Sequence, residues 1–184
     1  MKKYLLPSLK LTIVLIIVCA VLYPLLIAAI AKFAPGGGSG EKLTVNGKVV
    51  GYANIGQKFT EDKYFWGRPS AVDYNAAGSG GSNKGPSNPE YLQVVKERID
   101  SFLLHNPTIK REQVPAEMVT ASGSGLDPDI SPQSAQIQVA RISRTRNIPV
   151  DKLVELINNQ TEKPLFGPAH VNVLKLNISL DKIK

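Results

Sequence analysis

Two stretches rich in glycine and serine contain the residue types that could bind an anion or attack a substrate. The first, Ala76–Asn88, reads AAGSGGSNKGPSN, and consecutive glycines can turn several backbone N–H groups toward one phosphate. It is not a Walker loop, because no Gly-Lys-Ser/Thr sequence follows a glycine at the required spacing. Composition alone predicts a flexible loop. If the loop does bind an anion, the candidate contacts are Ser79, Gly80, Gly81, Ser82 and Asn83.

The second stretch, Ala121–Asp129, places Ser124 in a glycine-rich setting that could suit a nucleophile. The nucleophile elbow requires Gly-x-Ser-x-Gly, however, and positions 122 and 126 are serine and leucine. Asp127 and Asp129 resemble the start of a calcium loop, but a proline separates them and the expected continuation is missing. We therefore interpret this stretch as a structural turn and predict no catalytic residue in it.

Composition argues against several classes of function. The 184-residue chain has a formal net charge of +7. From Gly36 onward it contains 18 Lys and Arg and 15 Asp and Glu, so the net charge of that part is +3. Without a dense basic run interleaved with aromatic residues, nucleic acid is not a predicted partner. His105 and His170 have no cysteine near them, which argues against a zinc site. They are better interpreted as a helix end and a strand approach than as the base of a hydrolase, so no metal, cofactor or catalytic residue is predicted.

An aromatic segment supplies the candidate protein contacts. Tyr64, Phe65 and Trp66 are consecutive, and Arg68 follows them after one glycine. Three adjacent aromatic side chains cannot all face one side of a strand, so at least one is presented to a partner or covered by a loop. We predict Tyr64, Phe65, Trp66 and Arg68 as partner contacts. The alternative is that Phe65 belongs to the core and the others are partly exposed.

An apolar run, Leu11–Ala31, precedes all of these candidate residues and would anchor them to a membrane. It carries no charge between Lys10 and Lys32. At about 1.5 Å per residue, a helix of this length crosses a hydrocarbon core of roughly 30 Å. Pro24 lies inside the run and is expected to kink the helix or loosen one turn. A cleaved signal peptide is the alternative, but its apolar core is usually only about 7–15 residues long. The sequence therefore predicts one uncleaved membrane anchor.

The charges beside this run predict its orientation. Lys2, Lys3 and Lys10 precede it within ten residues, whereas Lys32 and Lys42 follow it over a similar distance together with one acid. The positive-inside rule then favours a cytoplasmic N-terminus. The predicted organisation is a cytoplasmic N-terminus (1–10), a transmembrane helix (11–31), a glycine-rich linker (32–42) and an extracytoplasmic domain (43–184).

Turn and cap signals divide the domain into helices and strands. Asn46-Gly47 predicts a type I′ hairpin within Leu43–Val50. Asn88-Pro89 begins a helix with an apolar stripe that ends by Asn106. Further helices are predicted from Pro132, and from Pro149 to about Asn159.

Two strands and one surface pair complete the prediction. Glu117–Thr120 is predicted as a short strand, and the alternation of Val171–Leu180 predicts a half-buried one. Arg141 and Arg144, three residues apart on the second helix, are expected to lie together on its surface. Strands near both ends with helices between them predict an α+β domain with a mixed or antiparallel sheet.

Several long motifs in one order carry a family resemblance that spans nearly the whole chain. They are YFWGRPS (64–70), SGGSN (79–83), GPSNP (85–89), VTASGSGLDP (119–128), ISP (130–132) and VNVL (171–174). With the N-terminal apolar run, they resemble the C subunit of the bacterial Kdp potassium-transporting ATPase.

The resemblance implies an accessory subunit of an ATP-driven, high-affinity potassium uptake complex in the bacterial plasma (inner) membrane. Its implied partners are a channel-like subunit that takes up potassium, a P-type ATPase subunit and a very small single-helix subunit, besides the lipid bilayer. Such C subunits are described as catalytic chaperones that raise the ATP affinity of the ATPase subunit, so ATP and K⁺ would act at the level of the complex. The chain itself lacks the Asp-Lys-Thr-Gly phosphorylation sequence of a P-type pump.

The predicted orientation leaves one question open. ATP is cytoplasmic, so an external domain cannot touch it and would act through the complex. If the domain is cytoplasmic instead, Arg68, Ser79–Asn83 and Gln138 are the candidates for nucleotide contact. A membrane-anchored binding protein that acts alone is the alternative function.

Overall fold

A computed structural model describes residues 2–183, and the chain divides into two units, Met1–Lys42 and Leu43–Lys184. The first unit is mainly one long helix, built from α1 (Lys2–Ile17), a π-helical turn (Val18–Leu22) and α2 (Tyr23–Ala31). A 3₁₀ turn, Pro35–Gly38, follows it.

The π-helical turn ends at Leu22, two residues before Pro24. Its last hydrogen bond runs from the Tyr23 N–H to the Val18 carbonyl, five residues back. A proline ring clashes with the carbonyl four residues before it, and a widened turn relieves such a clash while keeping the backbone paired. The prediction that Pro24 loosens one turn is confirmed.

The stretch Lys3–Ala31 has 29 residues and contains an 18-residue window with a mean hydropathy of 3.1, so it is long and apolar enough to cross a membrane by length and composition. Within residues 2–183 it is the one helix that meets this criterion. The predicted single N-terminal apolar helix is confirmed.

The hairpin near the boundary between the units forms as predicted. Strand β1 (Lys42–Val45) and strand β2 (Lys48–Tyr52) are neighbours in a two-stranded sheet. Asn46 and Gly47 at the turn have φ values of 50° and 76°, which are the positive angles that a type I′ turn requires.

Helix α3 (Pro89–His105) also begins and ends where predicted. The Asn88 side chain accepts a hydrogen bond from the Tyr91 N–H at the N-terminus. Two 3₁₀ turns follow, Arg111–Gln113 and Ala116–Met118.

The predicted strand at Glu117–Thr120 is wrong. The Thr120 N–H and hydroxyl both donate to the Ala116 carbonyl, which closes a helical turn. A short apolar run does not by itself distinguish a strand from such a turn.

Three helices form the middle of the domain: α4 (Pro132–Gln136), α5 (Val139–Arg146) and α6 (Val150–Gln160). Ser131 caps α4 by accepting a hydrogen bond from the Ser134 N–H. The single helix predicted from Pro132 is therefore two helices with a tight turn between them.

Three short strands form an antiparallel sheet in the order β3 (Asp129–Ile130), β5 (His170–Asn172), β4 (Thr161–Glu162). Ile130 pairs with Val171 on one side, and Thr161 pairs with Val171 on the other. Among the alternatives predicted for the fold class, the antiparallel sheet in a mixed helix and sheet domain is confirmed.

The predicted strand through Leu180 is wrong beyond Asn172, where helix α7 (Val173–Leu180) begins. Asn172 caps this helix, since its Oδ1 accepts from the Lys175 N–H at 3.0 Å. Val173, Leu176 and Leu180, spaced three and four residues apart, are buried on one helical face. They pack into one core with side chains from every other helix of the domain.

Candidate functional site

The aromatic segment Tyr64–Arg68 lies inside this domain and is held by side chains of α7 and of the turn between α4 and α5. Phe65 is fully buried. Its N–H donates to Asn177 Oδ1 at 2.9 Å, and its carbonyl accepts from Asn177 Nδ2 at 3.0 Å. One side-chain amide thus pairs with both backbone groups of Phe65, as a neighbouring strand would.

Gln138 holds the next residue in the same way. Its Oε1 accepts from the Trp66 N–H at 2.8 Å, and its Nε2 donates to the Trp66 carbonyl at 3.2 Å and to the Ser134 carbonyl at 3.0 Å. Gln138 is fully buried. Its amide is therefore occupied inside the domain, although the sequence analysis considered it as a nucleotide contact.

Arg141 is buried beneath the segment, with only 1% of its surface exposed. The prediction that Arg141 and Arg144 lie together on the surface is wrong, because α5 turns Arg141 into the core while Arg144 is exposed. Burial lowers the pKa of Arg141 to about 10, with the charge of Asp62 opposing this shift. The guanidinium therefore keeps its charge near neutral pH.

The guanidinium N–H groups of Arg141 donate hydrogen bonds to four neighbouring residues. Its acceptors are the carbonyls of Asp62 (2.6 Å) and Tyr64 (3.0 Å), Gln138 Oε1 (2.7 Å) and Asn106 Oδ1 (3.2 Å). A planar fork of five N–H groups suits such a divergent set of acceptors better than a lysine ammonium would. Arg141 thus fixes the backbone on the N-terminal side of Phe65.

The Trp66 ring packs against this cation and against His105. The guanidinium carbon of Arg141 is 4.2 Å from the ring centroid, a cation–π distance. The His105 ring lies edge-on at 5.0 Å, and its Nδ1 is 2.8 Å from an oxygen of Asp62. The indole N–H donates to the Glu61 carbonyl at 3.0 Å. Trp66 is therefore fixed in place while part of its surface stays accessible.

Arg68 ends the segment in an ion pair. Its Nη1 lies 2.9 Å from Asp127 Oδ2, with both side chains about a quarter exposed. Its carbonyl accepts a hydrogen bond from the Tyr74 hydroxyl, and burial raises the pKa of Tyr74 to about 12. Arg68 Nε is buried without a hydrogen-bond partner among the described residues.

A cleft of about 480 Å³ opens beside the segment. Its lining includes the side chains Trp66, Arg68, Tyr74, Arg98, Phe102 and His105. Aromatic surface and guanidinium groups at one concave site are suited to hold an acidic or aromatic side chain of another protein.

The glycine-rich stretch Ala76–Asn88 forms a loop, as predicted. The Ser79 hydroxyl and the Gly80 N–H both donate to the Ser124 carbonyl, each at 2.9 Å. A Cβ at Gly81 would lie 3.0 Å from the Gly123 carbonyl oxygen, so the two glycine-rich stretches pack closely on each other. Anion binding by Ser79–Asn83 stays a prediction.

Of the four predicted partner contacts, Tyr64, Trp66 and Arg68 are partly exposed and Phe65 is buried. This is the alternative arrangement that the sequence analysis left open. Sequence reasoning missed Asn177, because it assigned residues 171–180 to a strand. A helix there would have placed Asn177 on the same face as Val173 and Leu180.

Comparison with known proteins agrees with the motifs. A family model described as the c chain of a K⁺-transporting ATPase, KdpC, matches residues 5–182.

The chain belongs to the KdpC family.

Among its KdpC relatives, the potassium-transporting ATPase KdpC subunit of Flavobacterium psychrophilum is 58% identical over 177 residues, covering 96% of each chain. That of Flavobacterium johnsoniae is 57% identical over 182 residues, 99% of this chain and 100% of its own. The KdpC subunit of Bacillus cereus is 44% identical over 182 residues, 96% of this chain and 94% of its own. Both the apolar helix and the domain with the aromatic segment therefore fall within the KdpC match.

Proposed function

We propose that this chain is a non-catalytic accessory subunit of an ATP-driven potassium uptake complex, and that its folded domain stabilises the assembly from the extracytoplasmic side. The family match over residues 5–182 is the observation that carries this proposal. The absence of Asp-Lys-Thr-Gly from the sequence supports placing ATP hydrolysis on another chain. A single membrane helix cannot enclose an ion path, so the ion path is assigned to another chain too.

The surface proposed to contact the channel-like subunit is the cleft beside Trp66 and Arg68. Trp and Arg are enriched at the energetically important centres of protein interfaces. Trp66 is held by the buried Gln138 and Arg68 by the partly exposed Asp127, and this preorganisation lowers the entropy lost on binding. Tyr64 adds a third, partly exposed contact.

An effect on ATP affinity would then be indirect. With the domain outside and the nucleotide inside, the two interact only through a coupling free energy carried by the other subunits, the P-type ATPase subunit and the small single-helix subunit included. A cytoplasmic domain would instead allow Ser79–Asn83 to meet the nucleotide directly. The orientation of the chain decides between these two routes.

Co-purification of the full chain with the co-expressed subunits of its complex tests the proposal. We expect the chain to bring the channel-like and ATPase subunits with it, and Arg68→Ala to reduce the recovered complex roughly tenfold. Lys96→Ala, at an exposed position on α3, is the matched control and should leave recovery unchanged. Purification of the wild-type chain without partners would contradict the proposal.

A second variant separates contact from structure at this position. Asp127→Asn removes the charge that pairs with Arg68 but leaves the guanidinium in place. If Arg68 contacts the partner, Asp127→Asn retains most of the complex. If Arg68 matters only because it anchors the loop of Asp127, the two variants lose the complex equally.

The cleft also supports a second candidate function, a binding protein anchored in the membrane and acting alone. Its volume of about 480 Å³ lies in the range of small-molecule sites. The same co-purification decides, because a protein of this kind is recovered without large membrane partners.

A further inference from the structure

The basic side chains that line the cleft beside Trp66 are paired with acids, with one exception. The pairs are Lys58 with Asp73, Arg68 with Asp127 and His105 with Asp62, at 2.5, 2.9 and 2.8 Å. The exception is Arg98 on α3, whose guanidinium forms no ion pair with a carboxylate of residues 2–183. The described lining therefore has one positive charge that no acid balances.

Arg98 is nevertheless held in position. It is only partly exposed, and its Nη1 donates to the Val119 carbonyl at 3.1 Å. A guanidinium carries five N–H groups, and this is the single hydrogen bond that the described residues provide for Arg98. Most of its donors are therefore available on a side chain that is already oriented at the cleft.

The surroundings of Arg98 are apolar on one side. Phe102, one helical turn further along α3, is buried together with Met118, and both line the cleft. The ring of Trp66 lies edge-on to that of Phe102 at 6.3 Å. Attraction between opposite charges is stronger beside such low-dielectric surface than in water. An aromatic side chain placed here would instead cover a charge without balancing it, which is costly.

We propose that the cleft receives one acidic side chain, an aspartate or a glutamate, of the channel-like subunit, and that Arg98 pairs with its carboxylate. This inference rests on the proposed function and names the partner group at the same site. One arginine can donate two parallel N–H bonds to one carboxylate. One unbalanced charge also matches a carboxylate, whereas a phosphate dianion held in the cleft would need a second unpaired cation.

Retention of the full chain in its co-expressed complex measures what Arg98 contributes. Arg98→Gln removes the charge but keeps an N–H donor for the Val119 carbonyl, and we expect roughly tenfold weaker retention over a dilution series. Arg98→Lys keeps the charge and should recover part of the loss. Lys96→Gln, at the exposed position two residues earlier, is the matched control and should behave as wild type. All four chains should share one urea midpoint.

Carbodiimide coupling identifies the group that faces position 98. The reagent activates a carboxyl group, the amine introduced by Arg98→Lys attacks it and loses a proton, and an amide forms as the reagent leaves as its urea with the carboxyl oxygen. We expect the Arg98→Lys complex to couple position 98 to an aspartate or glutamate of the channel-like subunit. Wild type has no amine there and should lack this cross-link.

Two results would overturn the inference and leave the proposed function standing. One is a complex in which position 98 couples to no carboxyl group, or only to one on this chain or on another subunit. The other is unchanged retention of Arg98→Gln. If the wild-type chain enters no complex at all, the proposed function fails, and this inference fails with it.

Discussion

Two side-chain amides hold the backbone of Phe65 and Trp66 in the way that a neighbouring strand would. Asn177 pairs with both backbone groups of Phe65 and Gln138 with both of Trp66. Each amide offers one donor and one acceptor side, which matches the N–H and carbonyl of an extended residue. The segment therefore gains pairing without belonging to a sheet, and its aromatic side chains are fixed individually.

Replacing Gln138 by leucine should destabilise the domain by about 3 kcal/mol. The leucine fills most of the volume but leaves the Trp66 N–H, the Trp66 carbonyl and Arg141 Nη2 without their partner, and each buried unpaired group costs about 1–3 kcal/mol with incomplete additivity. Urea unfolding followed by the fluorescence of Trp66, the single tryptophan, measures the change.

Gln136→Leu is the matched control for this prediction. Gln136 ends α4 two residues earlier and is exposed, so its replacement should change the free energy of unfolding by no more than about 0.5 kcal/mol. Equal effects of the two variants would show that the Gln138 hydrogen bonds do not hold the segment.

Tyr74 should make stability depend on pH in the alkaline range. Burial raises its pKa from 10.0 to about 12, so the folded state binds the phenolic proton more tightly than the unfolded state does. The stabilisation is complete below pH 10 and is lost as the pH rises from 10 to about 12. Tyrosinate absorbance should show a late ionisation that Tyr74→Phe removes, and the variant should lose stability less steeply across this range. An unchanged late ionisation in the variant would assign it to another tyrosine.

Arg141 illustrates what residue types alone do not reveal. Because Arg141 and Arg144 are three residues apart, the sequence predicted that they lie side by side on a helix, and arginine side chains are usually on the surface. Its burial depends on the carbonyls of Asp62 and Tyr64, which lie far from it in sequence. Only the folded chain brings that set of acceptors together, whereas the partial exposure of Tyr64 and Trp66 around a buried Phe65 could be foreseen from their adjacency.

At the scale of elements, caps and turns were the reliable signals. Asn46-Gly47, Asn88-Pro89 and Ser131-Pro132 each mark an observed boundary, because each satisfies local backbone geometry that needs no distant partner. Alternation was unreliable at residues 171–180. The pattern of apolar residues there suits a strand face, but Val173, Leu176 and Leu180 also form one helical face.

Asn172 decides between those two structures. Its Oδ1 caps α7, and its Nδ2 donates to the Ala53 carbonyl at 2.7 Å. Asn172→Ala removes both, with an expected loss of about 2–3 kcal/mol in the free energy of unfolding. Hydrogen exchange should also speed up at the Lys175 amide, which loses its acceptor.

The exposed Asn159 near the end of α6 provides the control for this element. Asn159→Ala should leave both the urea midpoint and the exchange of the Lys175 amide close to wild type. If Asn172→Ala behaves like Asn159→Ala, the start of α7 does not depend on its cap.

At the scale of the whole molecule, the sequence predicted the family and the apolar helix, but it did not predict the contacts inside the domain. The apolar run Leu11–Ala31 is recognisable because all of its residues meet one local requirement, the absence of charge over a bilayer's thickness. The motifs around Trp66 and Ser124 identify the family, but their contacts with each other and with α7 are long-range. The unpaired Arg98 in the cleft had no pattern to mark it, since the pairing of a charge is a property of the fold.

The orientation of the chain is the prediction on which the route to ATP depends. The lysines that precede Leu11 favour a cytoplasmic N-terminus, which places the folded domain outside. A cysteine introduced at the exposed position Lys163 should therefore react with a membrane-impermeant maleimide in spheroplasts. A cysteine inserted after Met1 should react only in inverted membrane vesicles. Cys19→Ala provides a background without other thiols, because Cys19 is the single cysteine. Labelling of position 163 only in inverted vesicles would place the domain in the cytoplasm, where Ser79–Asn83 could reach nucleotide and the cleft beside Trp66 could not face an external partner.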